Sequence, residues 1–164
     1  MTTIAIVVST PVGGIGIKER MPWLNLTVMK DNYTDLAKDR IVLVGKTAFG
    51  QDYIRGEETY VYTRSEDFIS GENIHTISGE PEEVIAKLNE LHPDKDITIG
   101  GGELLFTGFY DLIDEWRVTI VDEFVIYDRD LNLTDIQYRW KKHRLVATGV
   151  DNNLNFSVWH YTKE

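Results

Sequence analysis

Three segments of this chain have the residue types that hold an anion. Asp96-Ile97-Thr98-Ile99 reads as a short apolar strand running into three consecutive glycines, Gly100, Gly101 and Gly102, and a helix-like run begins at Glu103-Leu104. A strand that ends in glycines and opens a helix lets the backbone come close to a phosphate. Glycine has no Cβ to block the ligand, and the N–H groups of the first helical turn point at the charge. Gly45-Lys46-Thr47 follows the strand-like Ile41–Val44 in the same way, with a lysine beside the turn. It is not a P-loop, because position 40, where that motif needs a glycine, is Arg40. Thr63-Arg64-Ser65 follows Thr59–Tyr62, and an arginine past a strand end can fork two N–H groups onto a phosphate. Taken singly, each segment is equally well a plain strand-to-helix turn or a solvated loop arginine.

A fourth segment has the composition of a lid. After the strand-like Thr3–Ser9 comes Thr-Pro-Val-Gly-Gly-Ile-Gly, with Gly13, Gly14 and Gly16, ending at Met21-Pro22-Trp23. A glycine-rich connection this long in a compact domain is mobile or strained and often closes over a site. Trp23 is alternatively a core anchor.

These segments need elements to position them. Strand signals fall at Thr3–Ser9, Ile41–Gly45, Thr59–Thr63, Asn73–Ile77, Ile97–Gly100, Trp116–Asp122, Leu145–Val150 and Phe156–Tyr161. Helical periodicity covers Leu26–Leu36, Glu103–Tyr110 and Pro81–Leu91, the last with Val84, Ile85, Leu88 and Leu91 as its apolar face and Pro81 at its start. Asn152-Asn153 between the last two strands marks a hairpin. The alternation predicts one α/β domain spanning 1–164. Its central sheet has about eight strands, mostly parallel, with a C-terminal antiparallel hairpin and helices on both faces. Ligands of such sheets bind beyond the carboxyl ends of strands, where the glycines and Arg64 stand.

The bulk numbers set bounds. The chain has 164 residues, and 27 acids against 17 bases give a net charge of −10. That balance argues against nucleic acid as a partner, which needs a basic face, but not against an anionic cofactor. Zero cysteines exclude disulfides and thiolate metal sites and fit a cytoplasmic location. No apolar run is long enough to span a membrane, and the apolar N-terminus lacks the flanks of a signal peptide. His75, His92, His143 and His160 have no ligand spacing, so no metal is expected. The basic run Tyr138–Arg144 reads as a solvated approach to a strand, or as a contact for an anionic partner.

The order of these features along nearly the whole chain resembles the dihydrofolate reductase family. Ile15-Gly16 followed by Met21-Pro22-Trp23, then strand-Gly-Lys-Thr, strand-Thr-Arg and Ile-Gly-Gly-Gly carry the resemblance, with Thr119 matching the family's pocket threonine. The resemblance implies NADPH as cofactor. Gly45, Lys46 and Thr47 together with Gly100, Gly101, Gly102, Glu103 and Leu104 would hold the pyrophosphate side. Arg64, helped by Lys46 and Thr63, would hold the 2′-phosphate. Val8, Ile15 and Gly16 would lie at the nicotinamide, under a loop containing Met21. On the substrate side it implies Ile6, Trp23, Val28, Met29 and Thr119 around a pterin and Ile54 against the benzoyl ring. Trp23 and Thr119 take the catalytic roles.

The chain departs from the family where the substrate is recognised. Five residues beyond Trp23, where the family has an acid, stands Val28, and Asp31 is almost a full turn away. Where the family has an arginine for the substrate's glutamate carboxylate, Gly56 is followed by Glu57. Arg55 precedes Gly56 and points the other way on an extended segment. Leu105 stands where an aromatic is usual. Each lost charge-assisted contact costs on the order of 1–3 kcal/mol. Dihydrofolate turnover would then be weaker by roughly two to four powers of ten, at ~1.4 kcal/mol per decade. Three readings follow: a weak reductase of 7,8-dihydrofolate in one-carbon metabolism, a monomer; an NADPH-dependent reductase of another small heterocycle; or a non-catalytic binding protein on the same fold.

Overall fold

The structure, a computed structural model, describes residues 2–16, 34–50, 54–65, 71–123, 129–151 and 153–163. Met21, Trp23, Val28, Met29 and the expected helix Leu26–Leu36, except its last turn, lie outside them. That last turn, Thr34–Leu36, is 3-10. The chain forms two compact units, Met1–Ala5 with Thr34–Ile113, and Ile6–Tyr33 with Asp114–Glu164.

The first unit is built on parallel strands. β1 (Thr3–Ser9) contributes its first half, and β3 (Ile41–Gly45), β4 (Glu58–Tyr62), β5 (Ile74–Ile77) and β6 (Ile97–Ile99) follow. β2 (Gly14–Gly16) belongs to the other unit. The order is β5-β4-β3-β6-β1, with Ile41 opposite Glu58 on one side and Ile97 on the other. Ile41, Val42, Leu43 and Val44 are all buried, as expected of a parallel strand covered on both faces and rich in β-branched residues. α1 (Lys46–Gly50) follows β3, and α3 (Glu103–Gly108) follows β6. α2 (Pro81–Leu91) begins with Pro81 and two glutamates, which suit the positive end of the helix. Val84 and Leu88 are buried, whereas Leu91, expected on the same face, is 53% exposed.

The second unit is antiparallel. β7 (Glu115–Val121) pairs with β10 (Leu154–Thr162), and β10 pairs with β9 (Lys142–Asp151). The two-residue connection between Asp151 and Leu154 makes the expected hairpin, with Asn153 left-handed at φ 65°, a conformation asparagine tolerates well. The complete sheet has eight strands in the order β5-β4-β3-β6-β1-β7-β10-β9, mostly parallel with the antiparallel strands at the C-terminal side, as the sequence predicts.

Two features of this unit correct the sequence reading. The run Tyr138–Arg144 is not a uniformly exposed approach to a strand. Tyr138 and Arg139 close a helix, α4 (Leu133–Arg139), and Trp140 after it is fully buried. Its indole N–H donates to the Asp114 carbonyl at 2.9 Å, and its ring meets Trp116 edge-on at 5.8 Å. Asn132 caps α4, its side chain accepting from the Asp135 amide. The glycine-rich segment is also more ordered than a slack loop up to Gly16. β2 pairs with β8 (Arg129–Asp130), Thr10 Oγ1 accepts from the Gly14 amide, and the Leu131 amide donates to Gly13 at 2.7 Å. Gly13 has φ 95°, and a Cβ there would lie 2.1 Å from the Leu131 carbonyl oxygen, so only glycine fits.

Candidate functional site

β4, β3 and β6 are neighbours and parallel, so their carboxyl ends lie side by side. This brings the two glycine segments into contact. The Gly45 amide donates to the Gly101 carbonyl at 2.7 Å, and the Gly100 amide donates to Leu43 at 2.9 Å. A Cβ on Gly45 would stand 3.5 Å from the Gly101 oxygen and 3.6 Å from the Gly102 nitrogen.

Two of the three consecutive glycines are required by the fold, for different reasons, and the third is left open. At Gly100 a Cβ would press on Ile54 Cγ2 and Val44 Cγ1, both at 2.9 Å, so packing demands glycine there. Gly101 has φ 118°, which favours glycine, and its peptide bond to Gly102 is cis. At Gly102 nothing lies within 4 Å of where a Cβ would be, and the residue is exposed. That open approach is what a phosphate would use. α3 starts at the next residue, with the Phe106 amide closing its first turn onto the Gly102 carbonyl at 2.9 Å. The amides ahead of that bond have no acceptor within the helix.

The side chains around these loops suit a nucleotide. Lys46 and Thr47 are exposed at the start of α1, and Leu104 is 85% exposed in the first turn of α3. On the adjacent strand end, the Thr63 amide donates to Ile77, and Thr63 Oγ1 accepts from the Ser65 amide at 3.1 Å. This turn presents Arg64 to solvent. Neither Lys46 nor Arg64 makes an ion pair among the described residues. Lys38 and Lys87 share that property, so position at the strand ends is what distinguishes the first two. Glu103 is the one expected cofactor residue whose charge opposes a phosphate.

The sequence search missed the end of β5. Ser78-Gly79 follows it, and the Tyr62 hydroxyl donates to the Gly79 carbonyl at 2.6 Å, beside Thr63. Asn73–Ile77 reads as a strand from sequence, so the rule that ligands meet strand ends would have reached this segment too.

The expected substrate residues are more scattered. Ile54 is buried against Gly100. Arg55 is turned back on its own chain: it donates to the Ile54 carbonyl at 2.8 Å and the Phe49 carbonyl at 3.1 Å, and its guanidinium lies 3.9 Å above the Phe49 ring. Glu57 pairs with Lys95 at 2.6 Å. The hydrogen bond that the Lys95 ammonium donates to Glu57 keeps it charged above its ordinary range. In the second unit, Ile6 and Val8 are buried in β1, and Ile15 is half-buried in β2. Thr119 in β7 is 1% exposed, and its Oγ1 has no hydrogen-bond partner among the described residues. An open hollow of about 350 Å³ in that unit, lined by Pro11, Ile120, Asp122, Asn155, Phe156 and Ser157, holds none of the expected residues. Among the described residues no cluster of three metal-ligating side chains occurs, and no helix is long and apolar enough to cross a membrane.

The fold is thus an α/β sheet of eight strands, with glycine loops joined at the carboxyl ends of its central parallel strands. The profile of the family described as dihydrofolate reductase matches residues 2–163, and the chain belongs to that family. A search of curated proteins finds no match. Among solved structures, the dihydrofolate reductase from Enterococcus faecalis complexed with NADP(H) and RAB-propyl superimposes with a TM-score of 0.75 at 20% identity, over 98% of this chain and 95% of that one. At that identity the likeness establishes the fold.

Proposed function

We propose that this chain is an NADPH-dependent reductase that converts 7,8-dihydrofolate to tetrahydrofolate, residues 1–164 acting as one domain, a monomer in the cytoplasm. The observation that carries the reading is the bond between the Gly45 amide and the Gly101 carbonyl. It joins two glycine loops into one cradle, flanked by the cations Lys46 and Arg64 that no acid neutralises among the described residues.

The residues present fit this cofactor, since the space over Gly102 is open to a phosphate. Gly45, Gly101 and Gly102 would let the backbone hold the pyrophosphate, with the first-turn amides at Lys46, Thr47, Glu103 and Leu104 available to it. Arg64 would hold the 2′-phosphate through its guanidinium, helped by Thr63 and Lys46. The bare side chain of Leu104 covers an apolar part of the nucleotide. Val8, Ile15 and Gly16 would orient the nicotinamide amide, and family membership alone assigns Met21, outside the described residues, to a loop over it. NADPH, when bound, supplies the hydride. Ile6 would stand at the pterin and Ile54 at the benzoyl ring, and Thr119 would orient the hydroxyl or water that gives the proton. Trp23, Val28 and Met29, which lie outside the described residues, are assigned to the pterin by family membership alone.

The test is oxidation of NADPH with dihydrofolate present, followed by the absorbance of the reduced nicotinamide. No rate above background at high enzyme concentration defeats the substrate assignment. Quenching of tryptophan fluorescence by NADPH then decides whether the cofactor site stands without it. Val28→Asp should raise the dihydrofolate rate by about tenfold or more; an unchanged rate defeats the placement of Val28 at the pterin.

A second reading has its own observation. Arg55 and Lys95, the cations flanking Gly56 and Glu57, are both committed within the protein. Arg40, whose carbonyl accepts from the Glu57 amide, is itself paired with Asp96, so a carboxylate tail on the substrate would meet Glu57 with no uncommitted cation beside it among the described residues. That favours a reductase of a neutral heterocycle without such a tail. Comparing rates on a tailless dihydropterin and on dihydrofolate separates the two readings.

A further inference from the structure

One face of the β7–β10 ladder carries a line of polar side chains that the cofactor does not need. Directly opposed residues of an antiparallel pair share a face, as do residues two apart on one strand. The register sets Thr162 opposite Glu115, His160 opposite Arg117, and Val158 opposite Thr119. Glu115, His160, Arg117 and Thr119 therefore follow one another on the same face. Their exposure falls along the line: the side chains of Glu115 and His160 are 30% and 12% exposed, and Arg117 and Thr119 are 7% and 1% exposed.

The two ends of the line differ. At the outer end His160 Nε2 meets Glu115 Oε1 at 3.1 Å. At the inner end two buried atoms, His160 Nδ1 and Thr119 Oγ1, have no hydrogen-bond partner among the described residues. Leaving such an atom unsatisfied costs on the order of 1–3 kcal/mol, and proteins relieve this with ordered water. Diagonal neighbours on a sheet stand roughly 7–8 Å apart at the backbone, near enough for water to join side chains that do not touch directly. Of the side chains assigned to the substrate, Ile6, Trp23, Val28, Met29, Ile54 and Thr119, none is an acid, and Thr119 alone carries a hydroxyl.

We propose that Glu115, His160 and water between His160 Nδ1 and Thr119 Oγ1 form the path by which solvent protonates the substrate. This inference rests on the reading of dihydrofolate reduction above. Reduction of the substrate's carbon–nitrogen double bond adds a hydride to carbon and a proton to nitrogen. The hydride comes from NADPH, which leaves as NADP⁺, and the proton comes from solvent at Glu115. A proton taken at Nε2 lets the imidazole release one at Nδ1. Water carries it to Thr119 Oγ1, whose own hydroxyl proton goes to the substrate nitrogen. Glu115 and His160 act through Thr119 and are positioning residues. The charged groups on this face beside His160 are Glu115 and Arg117 from β7, and Arg144 and Lys142 from β9, so the pH profile reflects all of them.

The experiment compares wild type with His160→Gln and Glu115→Gln in single-turnover hydride transfer from NADPH to dihydrofolate, across pH and in H₂O and D₂O. A glutamine at 160 still bonds to Glu115 but cannot pass a proton through a ring. The expected result is a rate lower by at least about tenfold, a moved pH midpoint and a larger solvent isotope effect, with NADPH affinity unchanged. An unchanged rate and profile in both variants overturns the proposal. So does a slower rate with the pH midpoint and isotope effect unmoved, since that is a packing effect. If His160→Gln does not fold, as read by its melting temperature, Glu115→Gln at its more exposed position decides the matter alone. A wild type that transfers no hydride to dihydrofolate defeats the substrate reading first, and the proton path with it.

Discussion

The two ends of β4 treat positive charge in opposite ways. Past its carboxyl end, Arg64 stands in solvent on a turn fixed by Thr63 and Ser65, and no acid pairs with it among the described residues. Before its amino end, Arg55 is spent on two backbone carbonyls and the Phe49 ring, and Glu57 is matched to Lys95. A cation at a strand end that is left without a partner remains available to a ligand. A cation neutralised within the chain is arranged for the fold. Five strand residues separate the two situations, so a count of basic residues near the site would not distinguish them.

The largest test of this contrast is Gly56→Ala. A Cβ there would lie 2.6 Å from the Arg40 carbonyl oxygen and 2.7 Å from Val42 Cγ2. Backbone cannot yield easily, so chemical denaturation should show a loss of about 3 kcal/mol. Gly102→Ala, in open space, should leave stability nearly unchanged and weaken NADPH binding instead. Next comes Arg64→Ala. Losing a charge-assisted contact of roughly 1.5–3 kcal/mol should weaken NADPH by about ten- to a hundredfold in a fluorescence titration, with NADH affinity unmoved. Equal effects on both nucleotides would break the assignment of Arg64 to the 2′-phosphate. Arg55→Ala should cost about 1 kcal/mol of stability and leave NADPH affinity alone.

The smallest effect belongs to Lys95. Its ammonium titrates above the ordinary 10.5 because Glu57 bonds to the charged form. A raised folded pKa means the pair's contribution is present at neutral pH and is lost as pH rises through that value. Because the pair is exposed to solvent, Lys95→Ala should melt only slightly below wild type at pH 7, where the contribution is present. Any difference should vanish in strongly alkaline buffer, as a melting series against pH would show.

Much of the first unit was legible in the sequence because its signals are local. β3 reads as a continuous apolar run, and α2 announces its start with Pro81. The strand ends at Gly45 and Gly100 were legible as places for a ligand, whereas their convergence came with the sheet order that sets β3 beside β6. The commitments of Arg55 and Glu57 were not legible. Lys95 is far from Glu57 in the chain, and only the packed fold brings them together. α4 escaped notice because seven residues give too few turns for periodicity to show, and because the charges around Trp140 hid a buried indole. β2 and β8 are two or three residues long, and their pairing depends on a non-local register. The polar line through His160 and Thr119 was invisible for the same reason, since it exists only once β7 lies beside β10.

The bond between Gly45 and Gly101 also bears on how this protein can change over generations. The two loops lie more than fifty residues apart in the chain, yet neither can be re-shaped without disturbing the other. A backbone drift at one loop is tolerated only if the other drifts with it. Changes that shift the backbone of one loop should accordingly need a compensating change in the other, whereas a side chain added in open space, as at Gly102, should be tolerated alone.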